Sequence, residues 1–285
     1  MKKISLILGL LIVILSTGCI KRDSFENIEI YTTVYPIEYI TNRLYGDNSE
    51  VKSIYPNGVI TKNYQLTDKQ IKDFSNADLF VFDGQSDEKN YVIPMFGFNN
   101  SLRIIDTSIT MEATYGNEEL WLDPSNFLML AQNVRNGLKE YVSNSYLRNE
   151  IDSRYEELKI EISNIDASLR LLAESSTTRY LLVDDNTFKF LEKYGFEIIS
   201  LDEDTVSDRT IVDAEKLIKE EKISYIYTLN NTEISEFIQN FVEKNEIEII
   251  TLHSISNLTD EEQRARVNFI DIKNDNIELL KKELY

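Results

Sequence analysis

The stretch GVITKNYQLT (58–67) joins a Gly turn to polar residues and a helix start, the build of a loop that presents a metal ligand. Lys62 stands where a nitrogen or oxygen ligand would be wanted. To ligate, its ammonium must lose a proton, and neutralising a group of pKa about 10.4 at pH 7 costs roughly 4–5 kcal/mol. A charged lysine repels a metal ion; carboxylates or solvent suit it better. Other nitrogen and sulfur donors are scarce, since His253 is the only histidine and Cys19 the only cysteine, a poor supply for zinc. His253 follows a strand-like run, where a hydrogen-bonded structural role competes with ligation. Asp184 and Asp185 end another such run, where a helix N-cap is the plain reading. The chain has no Gly-x-Ser-x-Gly elbow, no His-Glu-x-x-His and no Gly-rich phosphate loop, and only 9 glycines. Acyl transfer, zinc hydrolysis and nucleotide chemistry therefore lack their parts. No pair of carboxylates stands out by spacing.

The formal charge is −19, from 49 acidic against 30 basic residues. That balance argues against nucleic-acid binding, which needs basic patches to replace counterions. Most of the acids are spread along the chain, where they solvate helix faces. The N-terminus reads MKKISLILGLLIVILSTGC. Two lysines precede an apolar run from Ile4 to Leu15 that is short for a membrane span, and small residues follow, as in a secretory signal. Ser16, Thr17 and Gly18 directly before Cys19 have the form of a bacterial lipobox. Cys19 is accordingly expected to carry the lipid and become the mature N-terminus, anchoring the chain outside the cell membrane.

The elements that must position Lys62 alternate in type. IEIYTTV (28–34), EVKSIYP (50–56), ADLFVFDG (77–84) and LRIID (102–106) read as strands. Helical patterns lie at 35–46, with Pro36 at the start, at 67–76 behind Thr67 as N-cap, and at 123–142. From Leu147 an unbroken stripe runs through Ile151, Tyr155, Leu158, Ile162, Ile165, Leu169 and Leu172 at spacings of three and four. That is one long helix without Gly or Pro. A coiled-coil seam is the rival reading, but barely four heptads inside an α/β chain favour a rod packed along two lobes. The pattern then restarts, with strands at 179–185, 196–201, 223–229 and 246–252. Helices are expected at 186–195, 209–222 and 232–245, and a last one from about Thr259. The expected fold class is α/β: two Rossmann-like lobes with parallel sheets, joined by one long spanning helix. The divisions are a signal peptide (1–18), a lipid-anchored tether (19–27), an N-terminal lobe (28–142), the linking helix (143–175) and a C-terminal lobe (176–285). Ligands of open parallel sheets bind beyond the carboxyl ends of the strands, and two facing lobes would put such loops on both sides of one cleft.

Collinear landmarks over 28–285 carry a resemblance: YTTVYPI (31–37), PNGV (56–59) with Tyr64 and Thr67, ADLFVFDG (77–84), WLDP (121–124) and LHSISNLTDEE (252–262). With these the chain resembles the solute-binding lipoproteins of zinc and manganese ABC importers. The resemblance implies two α/β lobes with a spanning helix, no catalysis, and capture of a divalent metal of the zinc or manganese class for delivery to an ABC importer permease. A monomer is expected. The resemblance also implies which residues hold the family's ligand positions. The first His is here Lys62; the second, two residues before Trp121, is Glu119; the third is Asp185. The fourth falls on His253 or Ser256, with the register open. Tyr64 and Trp121 are implied as cleft wall. Glu119, Asp185 and His253 would suit a hard ion such as Mn²⁺ better than zinc. Alternatively Lys62 replaces the ion, held by Glu119 and Asp185, in a chain that keeps the fold as a surface interaction lipoprotein or takes a different polar ligand.

Overall fold

The structure is a computed structural model and describes residues 25–285. Cys19 and the leader before it lie outside the described residues. Two four-stranded sheets, each wholly parallel, form the frame. The first has the order β2-β1-β3-β4 and the second β6-β5-β7-β8, so the two lobes repeat one topology.

In the first lobe β1 (Ile28–Thr32) leads to α1 (Tyr35–Tyr45), which starts on Pro36, and then to β2 (Ser49–Ser53). A 3-10 turn at Thr61–Asn63 carries Lys62. The short α2 (Asp68–Phe74) begins in a capping box, in which Thr67 and Gln70 satisfy each other's backbone N–H groups. It is followed by β3 (Leu79–Phe82), α3 (Lys89–Phe98), β4 (Arg103–Asp106), a single turn α4 (Glu119–Leu122) and α5 (Pro124–Tyr141). Helix α3, with Pro94 inside it, is an element the sequence pattern did not suggest. Phe25, within the expected tether, is fully buried and stacks on Tyr141, so the lobe begins earlier than expected.

The long helix α6 (Ser145–Ser175) has 31 residues, a rod of roughly 46 Å. All eight residues of the sequence stripe are buried on it. It packs on α1 and α5 of the first lobe and on the 3-10 helix and C-terminal helix of the second. The stripe is therefore used up within the chain, and the spanning-rod expectation holds against the coiled-coil one.

The second lobe contains β5 (Tyr180–Val183), a 3-10 helix (Asn186–Tyr194), β6 (Glu197–Ser200), α7 (Asp208–Lys219), β7 (Tyr225–Leu229), α8 (Glu236–Asn245) and β8 (Glu248–Leu252). The segment expected as a helix at 186–195 is a 3-10 helix that buries Phe188, Leu191 and Tyr194, a spacing that a three-residue turn keeps on one face. The helix expected from 232 starts at Glu236, where Ser235 accepts from the Ile238 N–H. The last expected helix divides in two. α9 (Asp260–Ala265) stops where Arg266 turns left-handed at φ 57°, and α10 (Phe269–Leu284) restarts behind the Asn268 cap.

One core of buried side chains runs from the first sheet across the long helix to the inner face of the second sheet. A smaller one, including Leu182, Ile226, Ile238 and Phe241, lies under the outer helices of the second lobe. The cleft is thus built on a continuous apolar base.

Candidate functional site

A 2-1-3-4 strand order places a crevice at the carboxyl ends of the first and third strands, where the chain departs to opposite sides. Four buried polar atoms without a hydrogen-bond partner among the described residues lie there. Thr33 Oγ1 follows β1 and Asp83 Oδ2 follows β3; Asp184 Oδ1 follows β5 and Asn231 Oδ1 lies just beyond β7. Glu88 Oε2 and Asn186 Oδ1 complete the set. A buried polar atom left unpaired costs about 1–3 kcal/mol, and such atoms gathered at both switch points mark a built site.

On the first lobe the crevice widens into a cavity of 440 Å³, lined among others by Lys62, Tyr64, Asp83, Glu88, Glu118 and Trp121. Asp83 and Glu88 are 1% and 6% exposed. Burial, reinforced by the Asp83 charge, pushes the Glu88 carboxyl up to about 7. Asp83 is also raised by burial, against hydrogen bonds from Ser108 and the Gln85 N–H. The Tyr55 hydroxyl donates to Glu88 Oε1 at 2.9 Å. Gly84 leaves room here for the Asp106 carboxylate. Its N–H donates to Asp106 Oδ1 at 3.0 Å, and an added Cβ would stand 2.2 Å from the other carboxylate oxygen.

Across the cleft, burial pushes Asp184 up to about 7, with the Asp185 charge adding to the rise and the Lys62 ammonium opposing it. Asn231 Nδ2 donates to Glu118 Oε1 at 2.5 Å, linking the second lobe to the first. Further bonds fix the two lobes together. Trp121 Nε1 donates to the Ser254 carbonyl at 2.7 Å and Tyr35 N–H to the Ser256 carbonyl at 3.0 Å. The Gly58 N–H donates to Leu258 O, and Asn257 Nδ2 to Pro56 O and Val59 O. The PNGV and LHSISNL loops, distant in sequence, therefore clasp each other. Thr187 Oγ1 also reaches Tyr115 O at 3.1 Å, beside Gly116 at φ 128°.

The residues singled out in the sequence separate into two groups. Lys62, Tyr64 and Trp121 line the cavity, and Lys62 is exposed on its turn. The others have their side chains engaged in shaping loops. Glu119 Oε2 accepts from the Thr114 and Tyr115 N–H groups, both at 2.9 Å, and Asp185 Oδ1 caps the 3-10 helix through Thr187 N–H at 2.7 Å. His253 Nδ1 accepts from Ile255 N–H at 2.8 Å while Nε2 faces Glu262 Oε1 at 3.3 Å. Burial lowers the His253 pKa against the pull of Glu262. Ser256 is buried with its hydroxyl on that of Ser254. Among the described residues, no three or more His, Cys, Asp or Glu side chains gather closely enough to hold a metal ion.

Asp83, Glu88, Glu118, Asp184 and Asn231 are cleft residues that sequence reasoning missed. The Asp-Gly that closes ADLFVFDG and the Asn-Asn after ISYIYTL were visible. What was not visible was that their strands are the two at each switch point. Glu118 directly precedes the expected Glu119; Glu118 lines the cavity, while Glu119 is held by the Thr114 and Tyr115 N–H groups.

Comparison with known proteins gives one family match: the model for the periplasmic component A of the zinc-uptake complex fits residues 30–283. The zinc-binding lipoprotein AdcA of Streptococcus pneumoniae is 22% identical over 99% of this chain. The chain spans 61% of the length of that relative. The high-affinity zinc uptake system protein ZnuA of Bacillus subtilis is 22% identical over 91% of this chain and 88% of its own. Among solved structures, the metal-dependent lipoprotein YcdH of B. subtilis superposes with a TM-score of 0.75 at 19% identity, covering 90% of this chain and 99% of that one. The zinc-bound ZnuA-like domain of the pneumococcal AdcA gives a TM-score of 0.72, also at 19% identity, with the same coverage. These likenesses bear out the two-lobed α/β fold.

Proposed function

We propose a function for a chain that belongs to the family of periplasmic zinc-uptake components A: it is the extracytoplasmic solute-binding lipoprotein of a metal-type ABC importer. It captures its cargo in the cleft between the lobes and presents it to the permease, with no catalytic step of its own. The observation that carries this reading is the pair of facing switch points, each edged with buried oxygen atoms lacking a partner. Those oxygens, with the Glu118 carboxylate, make the cleft a host for a cation. For a divalent metal the donors are carboxylate and amide oxygens, which suit a manganese-class ion better than zinc. The relatives include the manganese ABC transporter substrate-binding lipoprotein PsaA of S. pneumoniae, 23% identical over 68% of this chain. Glu119, Asp185 and His253 hold the loops on which the cleft is built, and Lys62 stands at its mouth. The chain works as a monomer held by a lipid on Cys19; among the described residues no helix is long and apolar enough to cross a membrane.

The second reading, a degenerate member in which a lysine takes the place of the ion, is favoured by the lack of a three-donor group among the described residues. The Lys62 charge bears on Asp184, while hydrogen bonds engage the Glu119 and Asp185 carboxylates with their own loops. Calorimetric titration of the chelator-dialysed protein with Mn²⁺ and Zn²⁺ separates the two. Cargo capture gives saturable Mn²⁺ binding, and Lys62→His, by restoring a nitrogen donor, raises zinc affinity at least about tenfold. Absence of Mn²⁺ binding with no gain in Lys62→His leaves the degenerate reading.

A further inference from the structure

Every residue lining the 440 Å³ cavity comes from the first lobe. It is thus a pocket in one wall of the cleft, and it shares Asp83, Glu88 and Glu118 with the cation host proposed above. Its volume lies within the roughly 300–1,000 Å³ of small-molecule sites, far beyond what one bare ion requires. Its apolar lining is Tyr55, Tyr64, Tyr91, Trp121, Leu66 and Val34, and polar side chains make up the rest. Tyr55 and Tyr64 meet edge to face, with ring centroids 5.8 Å apart. Asp83 and Glu88 line the pocket, and each carries one oxygen without a partner. Asp87 and Glu118 are the other lining acids, and Lys62 is the one lining cation.

This set asks for a ligand that brings hydrogen-bond donors and positive charge. A hard metal ion needs around six oxygen ligands, and among the described residues no three His, Cys, Asp or Glu side chains are grouped to begin such a set. A primary ammonium carries three N–H donors of its own, and its carbon stem fits along aromatic rings whose faces attract cations. The Tyr64 hydroxyl accepts from Gln70 Nε2 at 2.9 Å and the Tyr91 hydroxyl from the Leu66 N–H at 3.3 Å. Each keeps its own hydrogen to donate, so the ligand's far end should carry an acceptor. We propose that the first-lobe pocket binds a small organic primary amine, with the ammonium held by Asp83 and Glu88 and the stem lying along the tyrosines.

The test is a melting and titration series on the purified protein in EDTA, so that the outcome does not depend on metal capture. The probes are L-lysine, ethanolamine and putrescine, with 1,4-butanediol as the uncharged counterpart of putrescine. At a hundredfold excess over Kd, at least one amine should raise the melting temperature by roughly 5–11 °C, with no rise from the diol. Glu88→Gln should weaken that amine at least about tenfold, the loss of a charge-assisted bond. Tyr64→Ala, on a half-buried ring outside the carboxyl pair, should weaken it as well and serves should Glu88→Gln fail to fold. No rise with any amine, an equal rise with the diol, or unchanged affinity in a folded Glu88→Gln or Tyr64→Ala protein would overturn the proposal.

Discussion

The two lobes share one strand order and differ in what covers their carboxyl ends. In the second lobe the switch point is met by the first: Glu118 accepts from Asn231, and the Lys62 charge bears on Asp184. In the first lobe the equivalent point opens into a cavity lined by Asp83 and Glu88, each of which keeps one buried oxygen without a partner among the described residues. Topology thus decides where polar groups collect: both lobes keep buried oxygens without a partner at these ends, and the first lobe also opens into a cavity there. The ties between the lobes run both ways: first-lobe N–H groups reach the carbonyls of Ser254, Ser256 and Leu258, while Asn257 of the second lobe donates to Pro56 and Val59.

The largest effect should come from cutting one of those ties. Trp121 is 3% exposed and joins the lobes through Ser254. Trp121→Ala should cost about 3–5 kcal/mol in urea unfolding through cavity formation and the lost bond, and a cost below about 1 kcal/mol would mean that the lobes hold together without it.

Lys273 tests the apolar side of the same joint. It is 5% exposed on α10, and its ammonium donates to the Leu122 carbonyl of the WLDP turn. Burial pushes its pKa down to about 7, with Asp123 opposing and Lys193 assisting. The folded value is below the unfolded one, so the unfolded chain binds more protons between pH 7 and about 10.4. Stability should therefore fall as pH drops through that window and level off below it. The loss should be on the order of 3 kcal/mol and should be missing in Lys273→Met, as read from denaturation midpoints at pH 7 and 10.

Asp184 and Glu88 sharpen the comparison, since each is held near 7 by burial at its own switch point. A carboxyl whose folded pKa is raised loses stability as pH climbs from about 4 to 7. Asp184→Asn and Glu88→Gln should each be more stable than the parent at pH 8, by on the order of 2 kcal/mol, and nearly equal to it at pH 4. Equal melting curves at pH 8 would place these carboxyls in water.

Much of the fold was legible because its signals are local. The long helix announced itself by eight apolar residues at unbroken spacing, and the strands by short β-rich runs between capped helices. Where two patterns overlapped, reading failed: Phe188, Leu191 and Tyr194 suit a helix of either period, and only packing chooses three. Helix α3 was missed because Pro94 conceals it. The cleft was legible as a loop and a set of landmark motifs, hence Lys62, Tyr64 and Trp121. Asp83, Glu88, Asp184 and Asn231 matter because of strand order and orphaned atoms, which arise only when distant segments pack. His253 was conspicuous as the sole histidine, yet its two nitrogens are occupied by Ile255 and Glu262.

The most direct measurement is the melting temperature of the purified protein after chelator treatment, and then with Mn²⁺ or Zn²⁺ at a thousandfold excess over Kd. Capture of a divalent cation adds about 4 kcal/mol there, a rise of roughly 8–16 °C for a chain of this size melting as one unit. The expected result is a rise of that order with Mn²⁺ and a smaller one with Zn²⁺. A melting temperature unmoved by both metals would contradict metal capture in the cleft.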